Sequence, residues 1–394
     1  MATITAPPRV AAPLTTRRRV ASETSPLRHL DLTLVALPFA ISGLGLLMIY
    51  TASRNRLHAS GLSELYYVER QAVAIVVGIV AMAIVILVDY RRVRDMWALV
   101  YLATLPLLAG VLVIGRSHKG AQAWFQVGPM QFQPSEIAKV AVIVAIAGYC
   151  HQHRGDLDAW RLAVAVALAG GVMALVFLQH DLGTTLVIMV CAGAVLLVAG
   201  LKPVHIAVLL LLAGTAVGAA VATGKVEAYR VDRLTNFVNQ STDGLSASRE
   251  SQTQYSLAES KAAIASGGIT GTGIGKGRQT KNGFVPEQHT DFIFTAVGEE
   301  LGFLGGAALI ALYALLAWRL WRIALLSSDF FGTLVAVGVL AMFAFQVFEN
   351  IGMTMGIMPI TGIPLPFMSY GGSAVIASFI AIGLAANVHM RRFS

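Results

Sequence analysis

Charge is scarce in this sequence. Only 13% of its 394 residues are Asp, Glu, Lys or Arg, where a soluble domain carries roughly 25%. That shortfall excludes a chain whose surface lies mostly in water. Cysteine is nearly absent too. Cys150 and Cys191 both fall in apolar stretches, which argues against a disulfide framework or a thiolate metal site. They read as two small buried hydrophobes. No G-x-x-x-x-G-K-[ST], H-E-x-x-H or C-x-x-C occurs, and no nucleic-acid module is present. The formal charge of +8 is therefore no sign of a nucleic-acid partner, because in an apolar chain Lys and Arg first report topology.

What the sequence has is hydrophobic length. Apolar residues make up 56%, and the mean hydropathy is +0.70. Ten runs stand out, at 32–52, 71–88, 96–115, 135–149, 159–178, 184–201, 204–223, 292–318, 331–348 and 369–388. Runs of about 20 apolar residues read as transmembrane helices. The expectation is an all-α polytopic membrane protein of about ten helices, with one large extracytoplasmic loop, 224–290, between helices 7 and 8. Residues 1–30, polar with Pro7, Pro8, Pro13 and Arg17-Arg18-Arg19, read as a disordered cytoplasmic tail. Residues 31–394 form one membrane domain. The first run is too long for a signal-peptide core, so it is expected to stay.

Orientation follows from counting. With the N-terminus inside, the inner segments hold fifteen Lys or Arg and the short outer loops five. Long loops are exempt from that count. Both termini are thus expected in the cytoplasm, with the long loop outside. The loop contains a helical stretch, 252–266, and then glycine-rich sequence from Gly267 to Arg278.

Ionisable residues at membrane depth are costly and are functional candidates. Glu136 and Lys139 share a helix face and can pair, either as a structural ion pair or as the lining of a substrate groove. Asp181, in Gln179-His180-Asp181-Leu182-Gly183-Thr184, fits a helix cap equally well. Asp291 lies where the loop re-enters the membrane. It is either a partly desolvated base or the N-cap of the eighth helix. Glu299 and Glu300 follow. Being adjacent, they cannot share a face, so one is expected inward and the other against a loop or backbone donor. The segment from Pro359 to Phe367 cannot be a regular helix, and Ser369-Tyr370-Gly371-Gly372-Ser373 opens the last run.

The chain resembles the SEDS family (shape, elongation, division and sporulation). The resemblance rests on Trp124 with Gln133-Pro134-Ser135-Glu136-Ile137-Ala138-Lys139, on the Asp181 turn, and on Pro286-Glu287-Gln288-His289-Thr290-Asp291-Phe292-Ile293-Phe294 with Glu299-Glu300-Leu301-Gly302. It continues through Gly362-Ile363-Pro364-Leu365-Pro366-Phe367-Met368-Ser369-Tyr370-Gly371-Gly372-Ser373. These pieces run in family order over nearly the whole chain after residue 30. Asn350-Ile351-Gly352-Met353 and Met358-Pro359-Ile360-Thr361-Gly362 look more like the elongation branch, RodA, than the division branch, FtsW. His180 departs from the pattern, which often has proline there.

The resemblance implies a ten-helix peptidoglycan glycosyltransferase in the cytoplasmic membrane. Such an enzyme polymerises lipid II on the outer face and works with a class B penicillin-binding protein. Asp291 matches the family's essential loop aspartate. As general base it would act on the acceptor sugar's hydroxyl, while the pyrophosphate leaving group needs positive charge. Lys276, Arg278 and Lys281, or Arg230 and Arg233, can supply that charge, and the 271–277 amides can add a nest for phosphate oxygens. A divalent cation can do the same work, although no metal-ligand spacing is visible. Glu136, Lys139, Asp181, His289, Glu299, Glu300 and Ser369 complete the candidate lining. Two rival readings remain open: a lipid II flippase or other transporter, and a scaffold that only recruits a synthase.

Overall fold

In the computed structural model, described for residues 29–118, 121–128, 130–154, 158–201, 204 and 250–392, the chain is a helical bundle. In order come α1 (Leu32–Ala59), α2 (Tyr66–Leu87), α3 (Tyr90–Asp95), α4 (Trp97–Ile114), α5 (Pro134–Gln152), α6 (Ala159–Leu178) and α7 (Leu182–Ala199). After the return of the long loop follow α8 (Glu250–Gly267), α9 (Arg278–Asn282), α10 (Ile293–Glu300), α11 (Gly302–Leu326), α12 (Phe330–Met355) and α13 (Gly372–Met390). Eight of these are long and apolar enough to cross a membrane. All but Val204 of the run at 204–223, together with residues 1–28 and the basic residues Arg230 and Arg233, lies outside the described residues.

Burial sorts the helices. In α13, 78% of the apolar window is buried, and in α12 56%; in α4 and α6 the share is 22%. The last two helices therefore form the centre, with α5, whose middle from Ala138 to Cys150 is buried residue after residue. The outer helices keep a broad apolar face, as a bilayer solvent permits. Helix α13 lies along α2 and is pinned near its end, where the Arg391 guanidinium donates to the Ile86 and Leu87 carbonyls.

Three features depart from the sequence expectation. A small antiparallel sheet, β1 (Arg116–His118), β2 (Ala121–Val127) and β3 (Met130–Phe132), bridges α4 and α5. It pairs Ser117 with Gln122 and Gln126 with Gln131, and adds strands to an otherwise helical chain. The run at 292–318 is not one helix. It breaks between Glu300 and Gly302, where Gly302 has φ +66° and a Cβ would meet the Ile269 carbonyl at 2.8 Å. Only glycine fits that left-handed, crowded position. The last helix starts at Gly372 rather than at Ser369.

Candidate active site

The segment leading to Asp291 is a tight set of turns, entered at Glu287 with φ +54°. It is fastened from three sides. The His289 carbonyl accepts from the Tyr370 amide at 2.9 Å. The Asp291 carbonyl accepts from Asn350 Nδ2 at 2.8 Å, and the same amide donates to the Ile363 carbonyl at 2.8 Å. Asn350, fully buried on α12, thus clamps the returning loop to the proline-rich segment. Gly362, at φ +75°, gives the room this needs, since a Cβ there would stand 3.3 Å from Asp291 Oδ2. Asp291 itself is half-buried. The N-cap position of α10 is Phe292, one residue after it. His289 is buried and packs its ring on Tyr67 and Tyr370.

A polar network carries the position of Asp291 back into the loop. Glu299, fully buried, accepts from the amides of Gln279 and Thr280 at 2.7 and 2.8 Å and from the Thr280 hydroxyl at 2.7 Å. These are the unsatisfied donors of the first turn of α9. Gln288 then donates to the Thr280 and Thr295 hydroxyls at 2.9 and 3.0 Å. Of the adjacent acids, Glu299 therefore meets the loop donors. Glu300 is buried with Thr51 and the Gly275 amide close by.

The glycine-rich loop narrows one expectation. Four of the 271–277 amides expected as a phosphate nest bond within the protein instead. Gly271 donates to Gly267, Thr272 and Gly273 donate to the Glu299 and Glu300 carbonyls, and Lys276 donates to Gly273. Glycine is required there for close approach, because a Cβ at Gly271 would collide with the Glu300 carbonyl. Lys276, Arg278 and Lys281 are exposed on this loop. The Lys281 carbonyl receives Asn55 Nδ2 at 2.7 Å, which holds the loop to α1.

Glu136 and Lys139 form the expected ion pair at 2.8 Å, both about 97% buried. Asp181 does two things. It caps α7 through the Thr184 amide at 2.9 Å, and it accepts from Gln133 Nε2 at 2.9 Å. It thereby joins the start of α7 to the start of α5. Ser369 is buried; its hydroxyl accepts from the Leu365 amide, and its carbonyl accepts from Gln71. It shapes the turn and is not presented as lining. No group of three His, Cys, Asp or Glu side chains comes together among the described residues.

Sequence reading missed Glu349 as a site residue. The apolar run was ended at Phe348, one residue short of it, yet α12 continues to Met355. An acid inside a helix that carries on past it was the available signal. Gln71 was also missed; it bridges the Ser369 carbonyl and the Gly371 amide.

Comparison with known proteins agrees with this arrangement. The family model described as "Cell cycle protein", for FtsW, RodA and SpoVE, matches residues 31–393. Stage V sporulation protein E of Bacillus subtilis is 34% identical, covering 93% of this chain and 97% of that one. Peptidoglycan glycosyltransferase MrdB of Escherichia coli is 34% identical, over 92% and 94%. A chain from a solved structure described as "Structural coordination of polymerization and crosslinking by a peptidoglycan synthase complex" superimposes with a TM-score of 0.77 at 33% identity, over 93% and 99%. The crystal structure of Thermus thermophilus RodA does so with a TM-score of 0.68 at 32% identity, over 93% and 98%. The chain is an integral membrane protein and belongs to the SEDS family of FtsW, RodA and SpoVE.

Proposed function

We propose that this chain is a peptidoglycan glycosyltransferase that polymerises lipid II at the outer face of the cytoplasmic membrane, with Asp291 as general base. The chemistry is one displacement. The acceptor sugar's hydroxyl oxygen attacks the donor's anomeric carbon, Asp291 takes the hydroxyl proton, and undecaprenyl pyrophosphate leaves with the bonding electrons. The observation that carries the reading is the fastening of a half-buried carboxylate. Asn350 holds the Asp291 main chain, and Gly362 leaves space at its carboxyl. A base held in one place by buried hydrogen bonds needs little reorganisation at the moment of proton transfer. The exposed Lys276, Arg278 and Lys281 are loop candidates for meeting the pyrophosphate.

The elongation role, rather than division, rests on Asn350-Ile351-Gly352-Met353 and Pro359-Ile360-Thr361-Gly362. Both termini lie in the cytoplasm in this reading, and the partner is a class B transpeptidase. The test is lipid II polymerisation by purified chain in nanodiscs. Asp291→Asn, correctly folded, is expected to make no glycan strands above background. Strands at wild-type yield from that variant would remove Asp291 as the base. Depleting the chain in its own cells separates the roles: rounding supports elongation, and filaments support division.

A further inference from the structure

Next to the Asn350 that holds Asp291, α12 carries a buried acid. Glu349 has no exposed surface, and the donor beside its carboxyl is the Thr361 hydroxyl, which stands outside good hydrogen-bond geometry. Its neighbour Asn350 is the residue that holds the Asp291 carbonyl, so the two acids belong to one clamp. They are close enough to act on each other electrostatically. Thr361, beside the Gly362 that accommodates the Asp291 carboxyl, is the hydroxyl next to Glu349. Its oxygen is also unpartnered, as are Asn350 Oδ1 and, one turn earlier on the same face, Gln346 Oε1. Apart from the Thr361 hydroxyl, which can also donate, these unpaired atoms only accept, so the floor is short of hydrogen.

A carboxylate left in such a place is costly, because one poorly placed hydroxyl and no counter-ion do not repay its desolvation. The acid form removes the charge and supplies the missing hydrogen to an oxygen such as that of Thr361. Two carboxyls that feel each other cannot both ionise cheaply, and the exposed member keeps the charge. We propose that Glu349 is the resting proton store of the site: it and Asp291 hold one proton between them, carried by Glu349, which leaves Asp291 as the ionised base. During the displacement Asp291 takes the acceptor's proton, both carboxyls are then neutral, and Asp291 returns that proton to water once the products leave. Glu349 touches no reacting atom in this scheme and acts through Asp291 as a positioning residue.

Of the other titratable groups on the elements packed against α12, Glu136 and Lys139 pair with each other, and Glu299 caps α9. Lys261 of α8 lies against Gly356, Cys191 of α7 is a buried thiol, and the Tyr313 hydroxyl of α11 donates to the Pro366 carbonyl at 2.6 Å. Glu300 of α10 is buried by Thr51 with both carboxyl oxygens also unpartnered, and it faces the glycine-rich loop. His151 of α5 and Asp329, the N-cap of α12, stand at the opposite end of that helix, about five turns away. Asp291 is the charged group whose field reaches Glu349.

The scheme rests on Asp291 being the base, but its test needs no substrate. Infrared difference spectra of the full chain in nanodiscs, taken across pH, read the C=O stretch of a protonated carboxyl directly. The wild type is expected to show a protonated-carboxyl band at neutral pH that Glu349→Gln abolishes. In Asp291→Asn the band should persist but titrate at lower pH, by about one unit or more, since the repelling charge is gone. Should Glu349→Gln not fold, Glu349→Asp is expected to shift the band rather than delete it. A wild type without the band, a band indifferent to substitution at position 349, or a titration unmoved by Asp291→Asn overturns the proposal. A missing band alongside an inactive Asp291→Asn would sink the proton store and leave the base intact; a band alongside an active Asp291→Asn would do the reverse.

Discussion

Two neighbouring regions treat their buried acids in opposite ways. In the returning loop, Glu299 has three donors within 2.8 Å, all supplied by the turn it caps. Beside the Asp291 clamp, Glu349 is just as buried and has only the Thr361 hydroxyl near it, with no bond of good geometry. The first arrangement stabilises a fold, because a satisfied carboxylate locks the loop to α10. The second costs stability unless a proton neutralises it, and such costs concentrate where chemistry is done. Burial alone does not tell these two acids apart; the donors around them do.

The sharpest break in that comparison is Asp291→Asn, expected to lower the polymerisation rate by about 10²–10⁴-fold, the usual worth of a positioned base. The measurement is glycan-strand formation from lipid II at saturating substrate. Lys139→Ala should come next. It strands Glu136 without its partner at 2.8 Å, a loss of about 3–5 kcal/mol that a thermal or denaturant titration in detergent will read. The matched double change Glu136→Gln with Lys139→Met should lose far less, since it leaves no charge unpaired. Glu299→Ala opens the loop cap, at about 1–3 kcal/mol for donors left without an acceptor. Hydrogen exchange should then rise at the Gln279 and Thr280 amides while α12 stays protected.

The smallest effect belongs to the other end of the bundle. Asp31 caps α1 through the Leu34 amide at 3.1 Å and pairs with Arg319 at 2.6 Å. Burial pushes its carboxyl up, but Arg319 and the Leu34 amide outweigh this and hold it below the ordinary 3.8. The folded value being the lower, this contribution is complete above pH 3.8 and is lost as pH falls further, through the folded value. Asp31→Asn keeps a capping oxygen but should remove that acid-limb dependence, at a cost of about 0.5–1 kcal/mol from the lost charge pair with Arg319. Melting curves between neutral and acid pH will show it.

Much of this was open to reading in the chain itself. The i, i+3 spacing of Glu136 and Lys139 announced their pair, and Asp181 three residues before Thr184 announced its cap. The loop helix expected at 252–266 is α8, Glu250–Gly267. Other features were hidden for identifiable reasons. Ending an apolar run at its first charge concealed Glu349, although a helix does not stop because one side chain is acidic. The glycine-rich stretch suggested an anion nest, yet glycines serve equally to let backbone approach backbone, and here the Glu299 and Glu300 carbonyls took the amides.

Sequence alone determined the solvent and the elements: long apolar runs demand a bilayer, and within it the backbone must bond to itself as helix. Tertiary structure decided which polar groups meet. Asn350 reaches Asp291 across 59 positions of chain, and no local period encodes such a contact. It exists because the returning loop, α12 and the proline-rich segment pack into one volume, where a buried amide must find carbonyls and a buried acid must find a donor, a cation or a proton.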